Sequence, residues 1–121
     1  MNISFMLTPE QIVAGTKTVT RRLGWKKLKV GQILVPVHKC QGLRQGEHPQ
    51  RLREDIRVVS VRREPLLRMI DDFDYGFEEC VKEGFGNDPE KRWPGTFVNF
   101  FCMTHDCEPE TEVTRIEFEY L

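Results

Sequence analysis

Side chains able to bind or transform a ligand are most dense in the segment Gly15–Arg22. It reads GTKTVTRR and supplies three threonine hydroxyls, one ammonium group and two guanidinium groups. Guanidinium groups hold phosphate in a bidentate manner, and hydroxyls donate to phosphate oxygens or to ribose. If the segment is extended, Thr18, Thr20 and Arg22 share one face, and a twist or turn is needed to bring Lys17 beside Thr20. The segment indicates an RNA or nucleotide-like ligand, the alternative being an ordinary threonine-rich strand with solvated charges.

The charge distribution around this segment favours an anionic ligand. The net charge is −1, yet residues 1–68 hold 14 lysines and arginines against 5 acidic residues, and residues 69–121 hold 4 against 14. No acidic residue lies between Glu10 and Glu47. Such a one-signed stretch attracts phosphates. The alternative is that the two halves neutralise each other across the folded domain.

Length and composition indicate one domain, residues 1–121, in a reducing compartment. The hydrophobic fraction of 39% is sufficient for a modest core. No apolar run approaches the roughly 20 residues that span a membrane, and the first residues lack the pattern of a signal peptide. We therefore expect a cytoplasmic protein with four free thiols, no membrane contact and no cofactor.

The first half of the chain predicts three strands and one helix. Thr8 as N-cap and Pro9 at the first helical position predict a short helix to Ala14, which Gly15 ends. Strands are predicted before and after this helix and again downstream, at Ile3–Leu7, Lys17–Arg21 and Ile33–His38. The polar residues 41–54, rich in turn-forming residues, predict a mobile loop.

The second half predicts two strands and three helical segments. The strand Ile56–Arg63 alternates apolar and basic residues with a slip in phase near Val58, which indicates a bulge. Helices are predicted at Pro65–Ile70, at Phe73–Phe85 with one apolar face, and at Pro94–Thr104, before a last strand, Val113–Tyr120. The order predicts an α+β fold: a small, mostly antiparallel β-barrel with flanking helices.

Several of these segments resemble the signature of the ASCH domain family. The run Ile12–Arg22 has that family's short helix ending in glycine, followed by Lys-Thr and an arginine. The turn Leu28–Gln32 leads into a strand, as in the family. Glu83–Phe85 is similar to a Glu-Gly-Phe segment, and Val113–Phe118 to the family's final strand. The resemblance covers most of the chain.

The resemblance implies a PUA-like barrel and a function linked to RNA or to modified nucleosides. One bacterial branch of similar size is an amidohydrolase that removes the acetyl group from N4-acetylcytidine. Its catalytic lysine, threonine and glutamate look matched by Lys17, Thr20 and Glu83, with Glu79 and Glu78 as the other choices for the carboxylate. The chain departs from that branch at residues 21–25 and in its longer loop 41–54.

The resemblance also implies a role for each residue. Lys17, partly neutral through burial or the nearby Arg21 and Arg22, acts as base. Thr20 is the nucleophile or holds the attacking water, and Glu83 positions Lys17 or passes a proton to the leaving amine.

Four further residues are predicted to bind the ligand: Thr18, Arg21, Arg22 and Trp25. Arg22 would hold a polar edge or an anionic group, and Trp25 would stack on a base or else plug the barrel. The competing hypothesis is an RNA-binding or regulatory module without chemistry that uses Lys17, Arg21, Arg22 and Trp25.

Two other groups of residues have weaker signals. Five potential zinc ligands have spacings that match no common zinc module, so we predict no metal site and read them as free thiols and surface histidines: His38, Cys40, Cys102, His105 and Cys107. The acidic run that begins at Asp71 would suit a nuclease, but such a run more often lies at a solvated helix N-terminus.

Overall fold

The computed structural model describes residues 1–121 and has an α+β fold. One sheet contains five strands: β1 (Asn2–Ser4), β2 (Val19–Arg22), β3 (Ile33–Val37), β4 (Ile56–Pro65) and β5 (Glu112–Tyr120). Their spatial order is β1-β3-β4-β5-β2. The β1–β3 pair is parallel, and the other three pairs are antiparallel. The two segments that flank the first helix therefore lie at opposite edges of the sheet.

Four helices and one π-helical turn accompany the sheet. The helices are α1 (Pro9–Ala14), α2 (Arg68–Asp71), α3 (Phe73–Cys80) and α4 (Pro94–His105), and the π-helical turn (Val81–Phe85) continues α3. No helix has the length and apolar character required to cross a bilayer.

The predicted closed barrel is wrong, because the sheet is open and mixed. Its edge strands are short, with three residues in β1 and four in β2. A side chain fills the seam between them: Nη2 of Arg22 donates to the Ser4 carbonyl oxygen at 2.6 Å, and its guanidinium group lies 5.0 Å from the centre of the Phe5 ring. Paired strands lie about 4.8 Å apart, so an arginine between the edges keeps them from pairing.

The predicted end of α1 is confirmed, and it places Lys17. Gly15 adopts a left-handed conformation with φ of 76°, which glycine accepts without steric cost. The chain then reverses, and the backbone N–H groups of Thr16 and Lys17 donate to the Gln11 carbonyl oxygen at 3.0 and 3.3 Å. Thr8 is the N-cap residue, but its side chain makes no capping hydrogen bond.

The predicted bulge in β4 is also confirmed. Val58 pairs with Phe118 and Ser60 pairs with Glu117, so that Val59 has no partner. The strand continues to Pro65, two residues beyond the predicted end. Glu64, near that end, is 4% exposed and points a carboxylate into the interior.

The core consists of two clusters of eight residues. The first joins the sheet to α1 through Ile3, Ile12 and Ile116, and the second joins α2, α3 and α4 through Met69, Cys80 and Phe97. The single apolar face predicted over 73–85 is wrong, since Phe73 is 53% exposed. Phe73 packs at the surface against Phe77 and Trp93, with ring centres 5.9 and 6.5 Å away, whereas Cys80 and Phe85 are buried.

Candidate functional site

Two elements hold the backbone of Lys17 and Thr18. The N–H of Thr18 donates to the Lys82 carbonyl oxygen at 2.8 Å, and the Thr18 carbonyl accepts from the N–H of Phe118 at 3.0 Å. The Tyr120 hydroxyl donates to the Lys17 carbonyl oxygen. These bonds tie Lys17 to the π-helical turn and to β5, so that its side chain starts from a fixed position.

The ammonium group of Lys17 is buried against Glu83. Its Nζ lies 2.9 Å from Glu83 Oε1 and 2.9 Å from the Glu83 main-chain oxygen. Both side chains are 4% exposed. The next residue, Gly84, has φ of 98°, and a Cβ there would lie 3.2 Å from Lys17 Cβ and 2.9 Å from Gln11 Cβ. A glycine is therefore required for the turn to approach Lys17 so closely.

Arg21 joins Glu83 to two further carboxylates. Its Nη1 donates to Glu83 Oε2 at 2.9 Å, and its Nη2 donates to Glu79 Oε1 at 2.6 Å. Nη2 also lies 3.5 Å from Glu64 Oε2, and the Arg21 side chain is 0% exposed. Both oxygens of Glu83 are thus held by cations, one on each side.

Arg115 and Tyr75 extend this network by contacting the other two carboxylates. Arg115 donates to Glu79 through Nε and through Nη2, the latter at 3.0 Å. The Tyr75 hydroxyl lies 2.8 Å from Glu64 Oε2. Three buried carboxylates therefore alternate with three buried cations, the arrangement that buried charges require if they are not to be left unpaired: Glu64, Glu79 and Glu83 with Lys17, Arg21 and Arg115.

Burial sets the protonation of these groups in different directions. Desolvation lowers the pKa of Lys17, although the charge and hydrogen bond of Glu83 act against it; Arg22 and Arg21 lower it further. Burial opposes ionisation of Glu79, but the hydrogen bonds from Arg115 and Arg21 outweigh it and hold the pKa of Glu79 at about 2. In this site, burial favours the neutral form of the Lys17 amine, while Glu79 stays ionised at neutral pH.

Lys17 and Glu83 form part of the wall of a cavity of about 310 Å³ at the seam between the sheet edges. That volume is at the lower end of the range for small-molecule sites. The lining combines the polar residues of β2 and the π-helical turn with a mainly aromatic wall: Ser4, Phe5, Met6, Leu7, Thr8, Lys17, Thr20, Arg21, Arg22, Glu83, Phe85, Phe97, Phe100, Phe101, Thr104 and His105.

Thr20 and Arg22 lie side by side in this wall. Thr20 is 4% exposed, and its hydroxyl accepts a hydrogen bond from Arg22 Nε at 3.1 Å. With Nη2 bonded to the Ser4 carbonyl, Arg22 retains Nη1 for a ligand and makes no ion pair with a carboxylate. Burial lowers the pKa of Arg22 to about 10, even though Glu83 and Cys40 favour its charge. Arg22 is partly buried, and a partly desolvated cation without a counterion would gain from a negative charge in the cavity.

α4 supplies an imidazole that the sequence analysis did not place in the site. His105 Nδ1 lies 3.0 Å from the Phe101 carbonyl oxygen, and its ring stacks on the Phe101 ring at 4.0 Å. If Nδ1 carries the proton, Nε2 is the nitrogen left for a ligand. The i, i+4 spacing of Phe97, Phe101 and His105 was the available signal, although the predicted helix ended one residue before His105.

The predicted site residues are not all brought together. Of the three candidate carboxylates, Glu83 contacts Lys17, Glu79 contacts Arg21 and Arg115, and Glu78 is exposed. Trp25 packs against the core cluster of the sheet, and it does not line the cavity. Thr18 likewise lies outside the lining, where its backbone holds the strand in place. Arg21 borders the cavity, but its side chain is 0% exposed and both of its Nη groups are paired with carboxylates.

The potential metal ligands are dispersed. No group of three or more His, Cys, Asp or Glu side chains is arranged to hold a metal ion. His38 lines a separate cavity with His48, whereas His105 lines the main one. Asp72, in the acidic run, accepts from the Tyr75 N–H at 3.2 Å as the N-cap of α3.

Comparison with known proteins supports the fold. No protein-family model matches the sequence, and no curated protein matches it significantly. Similar solved structures include two crystal structures. One is a protein of the DUF984 family from Enterococcus faecalis, with 19% identity, a TM-score of 0.56, and coverage of 93% of this chain and 66% of that one, just under two thirds. The other is an ASCH domain from Lactobacillus crispatus, with 17% identity, a TM-score of 0.58, and coverage of 98% and 77%. The chain therefore has an ASCH-like fold.

Proposed function

We propose that the cavity binds a nucleoside or nucleotide with an acylated exocyclic amine and hydrolyses that amide, as in the conversion of N4-acetylcytidine to cytidine and acetate. The observation that carries the proposal is the buried contact between Lys17 and Glu83, 2.9 Å, in the wall that also contains Thr20. A lysine with a lowered pKa and a hydroxyl that line the same cavity are the two kinds of group that general-base and nucleophilic catalysis use.

The residues account for each proton of the reaction. Neutral Lys17 takes a proton from the Thr20 hydroxyl, or from a water that Thr20 holds, and the oxygen attacks the acyl carbon. The C–N bond then breaks, and protonated Lys17 returns the proton to the leaving amine. If Thr20 itself attacks, a water releases the acyl group in a second cycle of the same kind. One water is consumed on either route.

Arg22 and Glu83 support this chemistry from two sides. Arg22 Nε donates to the Thr20 hydroxyl at 3.1 Å, and Arg22 Nη1 makes no hydrogen bond. The guanidinium group would therefore be available to the carbonyl oxygen of a ligand bound beside Thr20. A donor there stabilises the oxyanion that develops in the transition state. Glu83 holds the Lys17 amine in position through two contacts.

The aromatic wall suits a planar base. Phe97 and Phe101 lie on one face of α4, and Phe85 packs against Phe97 with ring centres 5.8 Å apart. Base–aromatic contacts contribute about 1–3 kcal/mol per base. The apolar wall would hold the base while the polar wall acts on its acyl group.

The direct test is turnover of N4-acetylcytidine, with cytidine measured by chromatography. Lys17→Arg retains the positive charge but removes a base, and we expect activity to fall by at least about 100-fold. Lys29→Arg, the same change at an exposed lysine, is the matched control and should be unaffected. Absence of turnover by the wild-type protein, or equal turnover by Lys17→Arg, would contradict the proposal.

A second candidate function, RNA binding without chemistry, is favoured by one observation. Lys26, Lys27 and Lys29 are exposed in the β2–β3 connection and make no ion pair, whereas Arg51 and Arg57 on the surface pair with carboxylates. Unpaired surface cations favour a polyanion. Titration of a short RNA at two salt concentrations tests it: an affinity that is insensitive to salt and to Lys26→Gln/Lys27→Gln counts against this function.

A further inference from the structure

We infer that Arg21 is a positioning residue that sets the protonation of Lys17 by holding the second oxygen of Glu83, and that Glu79 controls this effect by neutralising Arg21. The inference rests on the proposed function for its role in catalysis. The contacts themselves stand independently of any substrate.

The geometry divides Glu83 between two cations. Oε1 lies 2.9 Å from Lys17 Nζ, and Oε2 lies 2.9 Å from Arg21 Nη1. A carboxylate engaged only by Lys17 would hold the lysine as an ammonium ion. Arg21 binds the second oxygen of Glu83 and places a positive charge near Lys17. Both effects favour the neutral amine form of Lys17 over the ammonium form.

The strength of this effect depends on how much of the Arg21 charge is compensated elsewhere. Arg21 Nη2 lies 2.6 Å from Glu79 on α3 and 3.5 Å from Glu64 on β4. Glu79 is shared in turn with Arg115 on β5. Loss of a Glu79 charge would leave more positive charge beside Lys17, and loss of the Arg21 charge would leave less.

Three elements bring charged or titratable groups to the cavity beside Lys17. β2 supplies Arg21 and Arg22, the π-helical turn supplies Glu83, and α4 supplies His105 to the same cavity. Arg22 also lowers the pKa of Lys17, but it touches neither Glu83 nor Glu79 within hydrogen-bonding distance. Arg21 alone links the Lys17–Glu83 pair to the outer network.

Two substitutions should therefore shift Lys17 in opposite directions. Arg21→Gln removes the competing cation, so the pH at which Lys17 is half protonated should rise, by about one pH unit. Glu79→Gln keeps the side-chain shape but removes a compensating anion, so that pH should fall. If the substitutions merely loosened the site, water would reach Lys17, and the pH at which Lys17 is half protonated would rise in both variants.

The titration of Lys17 can be followed without substrate, by NMR of protein with labelled lysine side chains, assigned with Lys17→Arg. Glu119→Gln, which breaks an exposed pair with Arg57, is the control and should leave the titration unchanged. Thermal melting of each variant checks folding. If Glu79→Gln does not fold, Glu64→Gln removes the other carboxylate near Arg21 and should shift Lys17 in the same downward direction. If Arg21→Gln does not fold, Arg21→Met, which also removes the cation, replaces it and should likewise raise the pH at which Lys17 is half protonated.

The outcomes separate this inference from the proposed function. Opposite shifts support the inference, even if N4-acetylcytidine is not hydrolysed, in which case the proposed function alone fails. Unchanged titration, or shifts of the same sign, overturns the inference even if the wild-type protein is active. Where turnover is present, the acidic limb of kcat/KM against pH should move with the Lys17 titration in each variant.

Discussion

The Nζ of Lys17 is bonded to both the main-chain oxygen and the side-chain oxygen of Glu83, each at 2.9 Å. One residue thus positions the amine through its backbone and balances its charge through its carboxylate. The backbone contact makes the conformation of the π-helical turn part of the site. Helical irregularities of this kind are frequent at functional sites.

Gly84 is the residue on which that turn depends. We expect Gly84→Ala to destabilise the protein by about 1–3 kcal/mol, because its φ of 98° strains an L-residue and the new Cβ would meet Gln11 at 2.9 Å. Activity should fall with the displacement of Lys17. Gly86→Ala is the control, since Gly86 has φ of −59° and its nearest Cβ neighbour would be at 3.4 Å. Chemical denaturation measures the free energy of unfolding of the two variants. Equal stability of Gly84→Ala and Gly86→Ala would contradict the role of Gly84.

A second pair of glycines tests the packing of the helices. A Cβ at Gly76 would lie 1.9 Å from the Met69 carbonyl oxygen, so Gly76→Ala should cost at least about 2 kcal/mol despite the higher helix propensity of alanine. Gly95, at the start of α4, has nothing within 4 Å of such a Cβ. Gly95→Ala should be neutral or stabilising by about 0.5 kcal/mol. Midpoints of thermal unfolding that move in the same direction would show that the α2–α3 contact is looser than described.

The ionisation of Glu79 predicts a dependence of stability on pH. Because its pKa is about 2 in the folded protein against a usual value of 4.5, the unfolded chain binds the proton more readily. The stabilisation is fully present above about pH 4.5 and is lost as the pH falls toward 2. Denaturation from pH 7 to pH 2 should show a steeper loss in the wild-type protein than in Glu79→Gln. Parallel curves would assign the acid sensitivity to other carboxylates.

Arg22 and Trp25 distinguish a cavity site from a surface site. Arg22→Gln should lower kcat/KM for N4-acetylcytidine by about 100-fold, since it removes the donor beside Thr20. Trp25→Phe should leave it within about twofold, because Trp25 packs on the core of the sheet. Steady-state kinetics of both variants provide the measurement. A larger effect at Trp25 than at Arg22 would place the base outside the cavity, on the β2–β3 connection.

Local signals in the sequence predicted the elements that frame the site. Gly15 marked the end of α1, and the phase slip near Val58 marked the bulge, because glycine conformation and strand alternation are properties of neighbouring residues. The lysine, threonine and glutamate candidates came from the family resemblance. The contact between Lys17 and Glu83 joins positions 66 residues apart, which no local pattern encodes.

Other features depend on distant contacts. Arg21 was predicted to bind the ligand because guanidinium groups hold phosphate; in the structure, three carboxylates from α3, β4 and the π-helical turn surround it. The barrel was predicted from the order of the elements and from the family resemblance. Whether a sheet closes depends on what lies between its edges, and here that is the side chain of Arg22.

The unclosed seam between β1 and β2 also has a dynamic consequence. β1 has one strand neighbour, β3, and is tied to β2 only through the bond from Arg22 to Ser4. Short edge strands open locally at a small free-energy cost. A ligand that binds Arg22 from within the cavity would hold the β1 and β2 edges together. Ligand binding should therefore slow amide hydrogen exchange in Asn2–Ser4. The open edge would thereby report ligand binding at a distance from the reacting group.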